Sequence, residues 1–243
     1  MSAASAREVL IFTSTPNEFR SVRERVGREA FDRISCSVID CGPGRIHASF
    51  SAARELVPRL AEDRRPVAVV GTGTAGSLSM ALKQGDVIAS NAAVISDWRM
   101  ENGDEVTVGP YGWFDYRAPG PEQVRKMTIE CQDDLVTGFM GKLPGGEGGF
   151  LRGNLLTSEA FVSGKDHKLR LGSLFGCLAC DMESGVYGYV GNRLANVPWF
   201  NLRVVADTLD DTLSDYFVKE RDMTEILGRK VVEALKVFDS SLA

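Results

Sequence analysis

Residues 66–90 restrict what this chain can fold into more than any other stretch. Pro66 to Val70 is a β-branched run without alternation, the pattern of a strand covered on both faces, and it leads directly into Gly71-Thr72-Gly73-Thr74-Ala75-Gly76. Those six residues match the G-x-G-x-x-G fingerprint of dinucleotide-binding folds. The fingerprint needs a helix opening at its last glycine. Here Lys83-Gln84-Gly85-Asp86 makes a turn and a new strand runs from Asp86 to Ser90, which leaves no room for a crossover helix. No cofactor is expected. The glycines are read instead as letting backbone amides approach a ligand at a strand end.

The flanking pattern repeats strand and helix. Glu8 to Thr13 is an apolar strand, and Pro16 sits in the first turn of the helix that follows. Ser35 to Cys41 is a second strand, turned by Gly42-Pro43-Gly44 into a helix from Ile46 to Leu60. Helical spacing recurs over Gln123–Met140, Pro144 to Gly149 makes a flexible tip, and a strand is expected near Gly153 to Thr157. Leu174 to Asp181 reads as strand, Gly185 to Leu194 as helix, Val197 to Val205 as strand and Asp222 to Phe238 as a closing amphipathic helix. The segment 97–120 has no sustained period and reads as irregular excursions at the sheet rim. The pattern predicts an α/β fold: one domain over residues 1–243, three layers (α/β/α) around a twisted, mainly parallel sheet, with ligands at the carboxyl ends of its strands.

With 243 residues, 44% hydrophobic and 25% charged, the chain buries one sizeable core. A net charge of -5 and the lack of a basic run exclude nucleic acid as the expected partner. The opening Met1 to Arg7 is short and polar, no apolar run reaches membrane-spanning length, and five cysteines form no disulfide framework, so the expected location is the cytoplasm. Cys177-Leu178-Ala179-Cys180 spells C-x-x-C. It lies in an apolar strand-like run without a second pair or clustered histidines, since His47 and His167 are far apart, and it reads as buried packing. No metal site is expected.

Three acidic residues stand at the ends of expected strands: Glu18, Glu183 and Asp207. Each alone has a structural reading, Glu18 and Glu183 as helix N-terminal acids and Asp207 as a turn cap. Together on one rim they make a candidate site.

Three ordered blocks carry a family resemblance. Val70-Gly71-Thr72-Gly73-Thr74-Ala75-Gly76-Ser77-Leu78 with Leu82 to Ile88, Asp181-Met182-Glu183-Ser184, and Val197 to Asp207 resemble the glycine-rich segment, the ribose-binding Met-Glu motif and the purine-facing aspartate strand of the nucleoside phosphorylase and nucleosidase superfamily. Order and spacing agree from about residue 8 to residue 238. Within it, Glu18 falls where methylthioadenosine/adenosylhomocysteine nucleosidases carry a water-activating glutamate, and Ser158 to Val162 is similar to the stretch whose Phe stacks on the purine.

The resemblance implies hydrolysis of the N-glycosidic bond of a purine nucleoside, adenine first. Asp207 and Glu18 would be catalytic, while Glu183, Met182, Phe161, Val162, Thr74, Ala75 and Gly76 would bind substrate. It also implies a homo-oligomer, a dimer first, with Tyr111 to Tyr116 as a candidate contact. The chain departs from the pattern at Ala206, where the nucleosidases carry Ser, and at Thr15, where a Met often stands. Two alternatives remain: a phosphorylase, with Arg45 or Arg99 holding phosphate, and a non-catalytic nucleoside-binding protein.

Overall fold

The computed structural model describes residues 7–96, 100–102, 105–107 and 128–242. The expected contact at Tyr111 to Tyr116, Arg99 and most of the 97–120 segment lie outside the described residues.

The chain opens as expected, with β1 (Arg7–Thr13), α1 (Pro16–Val26), β2 (Ile34–Asp40), α2 (Arg45–Ala61), β3 (Ala68–Ser77) and β4 (Val87–Ser90). The glycine-rich run stays in strand conformation throughout, so no helix opens at Gly76. Next come β5 (Ala92–Ile95), the short pair β6 (Met100–Asn102) and β7 (Glu105–Thr107), β8 (Thr128–Glu130), α3 (Asp134–Lys142), β9 (Phe150–Arg152) and β10 (Asn154–Thr157). The chain ends with α4 (Lys165–Phe175), β11 (Cys177–Asp181), α5 (Ser184–Tyr189) running into a π-helical turn (Val190–Ala195), β12 (Trp199–Asp207) and α6 (Leu213–Ser241).

Four boundaries differ from the sequence reading. The helix expected over Gln123–Met140 is broken: Thr128 to Glu130 pairs antiparallel with β5, and α3 starts only after Asp133, whose carboxylate caps the amides of Leu135 and Val136. Leu174 and Phe175 belong to α4, not to a strand, because Gly176 takes the left-handed conformation (φ +65°) that ends a helix. The helix expected to run to Leu194 widens into its π turn after Tyr189. α6 begins nine residues before Asp222, where Thr212 and Asp215 form a capping box.

The main sheet runs β8-β5-β10-β11-β3-β12-β4-β9, with β1 and then β2 attached to β3. Among the described residues six of its nine pairings are parallel. β3 is the hub. One edge pairs with β12 along its length; the other pairs with β1 through Ala68 to Gly71 and meets β11 only at Gly76 and Ser77. β12 separates the two helical layers by alternation. Phe200 packs with Phe139 of α3 and Phe238 of α6, while Trp199, Asn201 and Arg203 approach Gly188, Tyr187 and Ser184 of α5. The expected three-layer α/β arrangement is present.

Candidate functional site

β1, β3, β10, β11 and β12 all deliver their carboxyl ends to one cavity of about 510 Å³. All nine residues singled out from the sequence line it: Glu18, Thr74, Ala75, Gly76, Phe161, Val162, Met182, Glu183 and Asp207. A further wall comes from the first turns of α6, through Leu213, Tyr216, Phe217 and Glu220.

Glu18 is held by four donors. Its Oε2 accepts from the amides of Ser14 (2.8 Å) and Thr15 (3.1 Å), and its Oε1 from the Thr74 amide (2.8 Å) and hydroxyl (3.0 Å). The contact with Thr15 completes a capping box, so the helix-terminal reading of Glu18 is real, and the same carboxylate faces the cavity. Burial pushes its pKa up, against the pull of Arg203 and the amide donors.

Glu183 accepts from the Gly44 amide at 2.8 Å. Gly44 has φ +89°, a conformation other residues rarely adopt, and the turn Gly42-Pro43-Gly44 thereby presents its N–H to the site. Burial raises Glu183 to about 7, with Asp181 and Glu18 adding to the effect and Arg203 opposing it. Arg203, 1% exposed, reaches Asp181 at 2.9 Å and Glu183 at 3.3 Å. Burial works against its charge, but the carboxylates of Asp181, Glu183 and Glu18 outweigh that and raise its pKa. Asp181 also accepts from Thr157 and from the amides of Glu183 and Ser184, and so fixes the turn that carries Met182 and Glu183.

Asp207 pairs with Lys168 of α4: Nζ donates to Oδ2 at 2.7 Å and to the Thr208 carbonyl at 2.6 Å. Burial raises the Asp207 pKa, and Lys168 offsets part of that rise. On the opposite wall Phe161 meets Tyr216 edge to face at 5.9 Å, and the Tyr216 hydroxyl lies 3.1 Å from that of Thr74.

Sequence reasoning missed Lys168, Tyr216 and Glu220, and gave Arg203 no role. An arginine two residues inside a buried run is the one signal available for Arg203, since such a cation needs buried acids nearby. The C-x-x-C pair is buried, as expected, and burial pushes both thiols up to about 12, although Cys180 also lines the cavity. Arg45 bonds Glu159 at 2.9 Å and lies outside the cavity lining.

The sequence model of the Phosphorylase superfamily matches residues 4–236. The chain belongs to this superfamily. It is 23% identical over 209 residues to the 5′-methylthioadenosine/S-adenosylhomocysteine nucleosidase of Buchnera aphidicola, covering 84% of this chain and 80% of that one. Among solved structures, the corresponding Helicobacter pylori nucleosidase complexed with a substituted pyrrolidin-3-ol aligns with a TM-score of 0.71 at 17% identity, covering 96% of this chain and 99% of the other. The S. pneumoniae nucleosidase with a transition-state inhibitor gives 0.71 at 20% identity, with 97% and 100% covered. The futalosine hydrolase of Helicobacter pylori gives 0.70 at 18% identity, with 95% and 97% covered. The superfamily fold thus extends over nearly the whole chain.

Proposed function

We propose that this superfamily member hydrolyses the N-glycosidic bond of a purine nucleoside, adenine nucleosides first, and releases free base and a ribose derivative. The observation that carries this reading is the convergence of Glu18, Glu183 and Asp207 on one cavity, each in a different hydrogen-bonded setting.

Bond cleavage needs a proton on the departing purine and negative charge beside a sugar that acquires oxocarbenium character. Asp207, protonated, gives its proton to a ring nitrogen as the C1′–N bond breaks and its electron pair moves to the base. Glu18 as carboxylate takes a proton from the attacking water, whose oxygen bonds C1′. Exchange with solvent then restores both groups. Glu183 accepts the ribose hydroxyls and Met182 packs beneath the sugar, with Thr74, Ala75 and Gly76 forming the wall behind it. Phe161 and Val162 cover the base. Holding the reactants in this way supplies the orientation that the chemistry needs.

Phosphorolysis is the second reading. Among the described residues lining the cavity the only arginine is Arg203, which is already bound to Asp181 and Glu183, and this favours water over phosphate as nucleophile. Incubating the protein with adenosine, 5′-methylthioadenosine, inosine and guanosine, with and without phosphate, tests the assignment. Base release independent of phosphate is expected. Strict phosphate dependence would replace hydrolysis by phosphorolysis, and tight binding without release would leave a nucleoside-binding protein.

We also propose one domain over residues 1–243, a cytoplasmic location, and a homodimer formed through α2. That helix exposes Ile46 (78%), Phe50 (67%) and Val57 (62%) beside an apolar groove that includes Val186 and Val190. No helix among the described residues is long and apolar enough to cross a membrane.

A further inference from the structure

Among the described residues, Lys168 is the most deeply buried cation that the reading above does not use. Its side chain has no exposure, it lies on the second turn of α4, and it does not line the cavity. An ammonium in such a place is tolerated only if paired. Its partners are the Asp207 carboxylate at 2.7 Å and the Thr208 carbonyl at 2.6 Å. Both bonds converge on the residue assigned the proton and on its neighbour.

The carboxyl group is divided by this contact. Oδ2 faces Lys168, while Oδ1 carries no hydrogen bond among the described residues and belongs to the side chain that lines the cavity. Asp207 is pinned from β3 as well. It is paired in register with Gly76, where an added Cβ would lie 2.7 Å from Oδ2 and 3.1 Å from Oδ1. The other charged or titratable groups around it are Asp211 and Lys219, which bond each other at 2.7 Å, and the buried thiol of Cys180 on β11. Asp211 and Lys219 offset each other, so Lys168 is the unbalanced influence on Asp207.

We propose that Lys168 is the positioning residue of the leaving-group acid, making Asp207 a stronger proton donor to the purine by stabilising the carboxylate that donation leaves behind. The inference rests on the hydrolytic reading above. The charge balance gives the reason. With Asp207 protonated, the pair carries one net positive charge in a buried place. When the proton passes from Oδ1 to the ring nitrogen and the C1′–N electrons move to the base, the pair becomes a neutral ammonium-carboxylate. A site without the lysine would pass from neutral to a lone buried carboxylate, the costlier change. Lys168 itself stays protonated, and solvent returns the proton to Asp207 between turnovers.

The test uses the full-length protein with adenosine and 5′-methylthioadenosine. In Lys168→Met, kcat is expected to fall at least about tenfold while KM stays within about threefold, because the lost interaction is made mainly in the transition state. The alkaline limb of the kcat profile is expected to move up by about one pH unit, a tenfold rise in proton affinity of the acid. Lys168→Arg, which keeps the charge, is expected to retain the wild-type limb.

A second readout needs no turnover. The Asp207 carboxyl stretch, identified in infrared spectra as the band lost in Asp207→Asn, should titrate at higher pH in Lys168→Met than in wild type. Should Lys168→Met fail to fold, Lys168→Gln takes its place in both measurements. An unchanged limb together with an unchanged carboxyl midpoint would overturn the proposal, whatever activity or melting temperature is lost. Full turnover by Asp207→Asn, or no base release by the wild type, would instead strike the hydrolytic reading, and the infrared midpoint still decides whether Lys168 sets the acidity of Asp207.

Discussion

Glu18 serves two ends with one carboxylate. Its Oε2 caps α1 through Ser14 and Thr15, and its Oε1 is oriented into the cavity by Thr74. Replacing it should therefore disturb both. Glu18→Ala, which leaves the amides of Ser14, Thr15 and Thr74 without their acceptor, is expected to lose about 1–3 kcal/mol of stability, read as a lower melting temperature. Base release by this variant should fall at least about 100-fold while nucleoside binding persists. Hydrolysis at full speed would remove Glu18 from the mechanism. Asp207→Asn should lose at least about 100-fold in kcat and remain folded.

Glu183 gives a stability prediction with a definite sign. Its folded pKa of about 7 lies above the ordinary 4.5, so the native state holds the proton more tightly than the unfolded chain. The stabilisation is fully present below 4.5 and is lost as pH rises through about 7. Denaturant unfolding at pH 5 and pH 8 should show this loss in the wild type and a flatter profile in Glu183→Gln. An equally steep profile in the variant would place the titration elsewhere.

The three acids were legible because each follows a strand with a clear apolar pattern. Lys168, the cationic partner of Asp207, was not, since pairing across 39 residues leaves no local trace.

At the scale of elements, α4 explains that blindness best. Its buried positions are Lys168 and Gly172, one turn apart, so the face it turns inward shows no apolar periodicity. Hydrophobic pattern found β1, β2, β3, β4, β10, β12 and α2 but passed over this helix and assigned its last two residues to β11. Gly172 also lets α4 lie close to the end of β3. A Cβ there would sit 2.4 Å from the Leu78 carbonyl oxygen. Gly172→Ala is therefore expected to cost about 1–3 kcal/mol by overpacking, measured by urea unfolding. Because the displaced helix carries Lys168, kcat should fall as well. A variant as stable as wild type would mean that α4 has room to shift. Another missed boundary, the early start of α6, has a similar cause: Leu213, Phe217 and Val218 are exposed, so the first turns carry no buried stripe and are signalled only by the capping box at Thr212.

For the whole molecule, the alternation of strand and helix was sufficient to read the layered α/β plan, and the short interval after Gly76 was sufficient to exclude a dinucleotide fold. It could not show that β3 changes partners along one edge, because pairing partners are chosen by tertiary packing and not by the strand's own residues. The apolar face of α2 belongs to this scale too. Ile46→Asp combined with Val57→Asp should convert a dimer to a monomer in sedimentation velocity runs at micromolar concentration. A monomeric wild type would remove the proposed interface.

The partner change in β3 has a consequence for motion. Phe161, Val162 and Glu183 follow β10 and β11, whereas Glu18 follows β1 and Thr74 and Asp207 lie on β3 and β12; among the described residues the two groups are joined across the sheet by a ladder of only two residue pairs. Such a seam is the place where amides should exchange with deuterated solvent ahead of the rest of the sheet. A nucleoside seated between the groups would act as a clasp, and amide protection at Ala179 and Cys180 should rise as it binds.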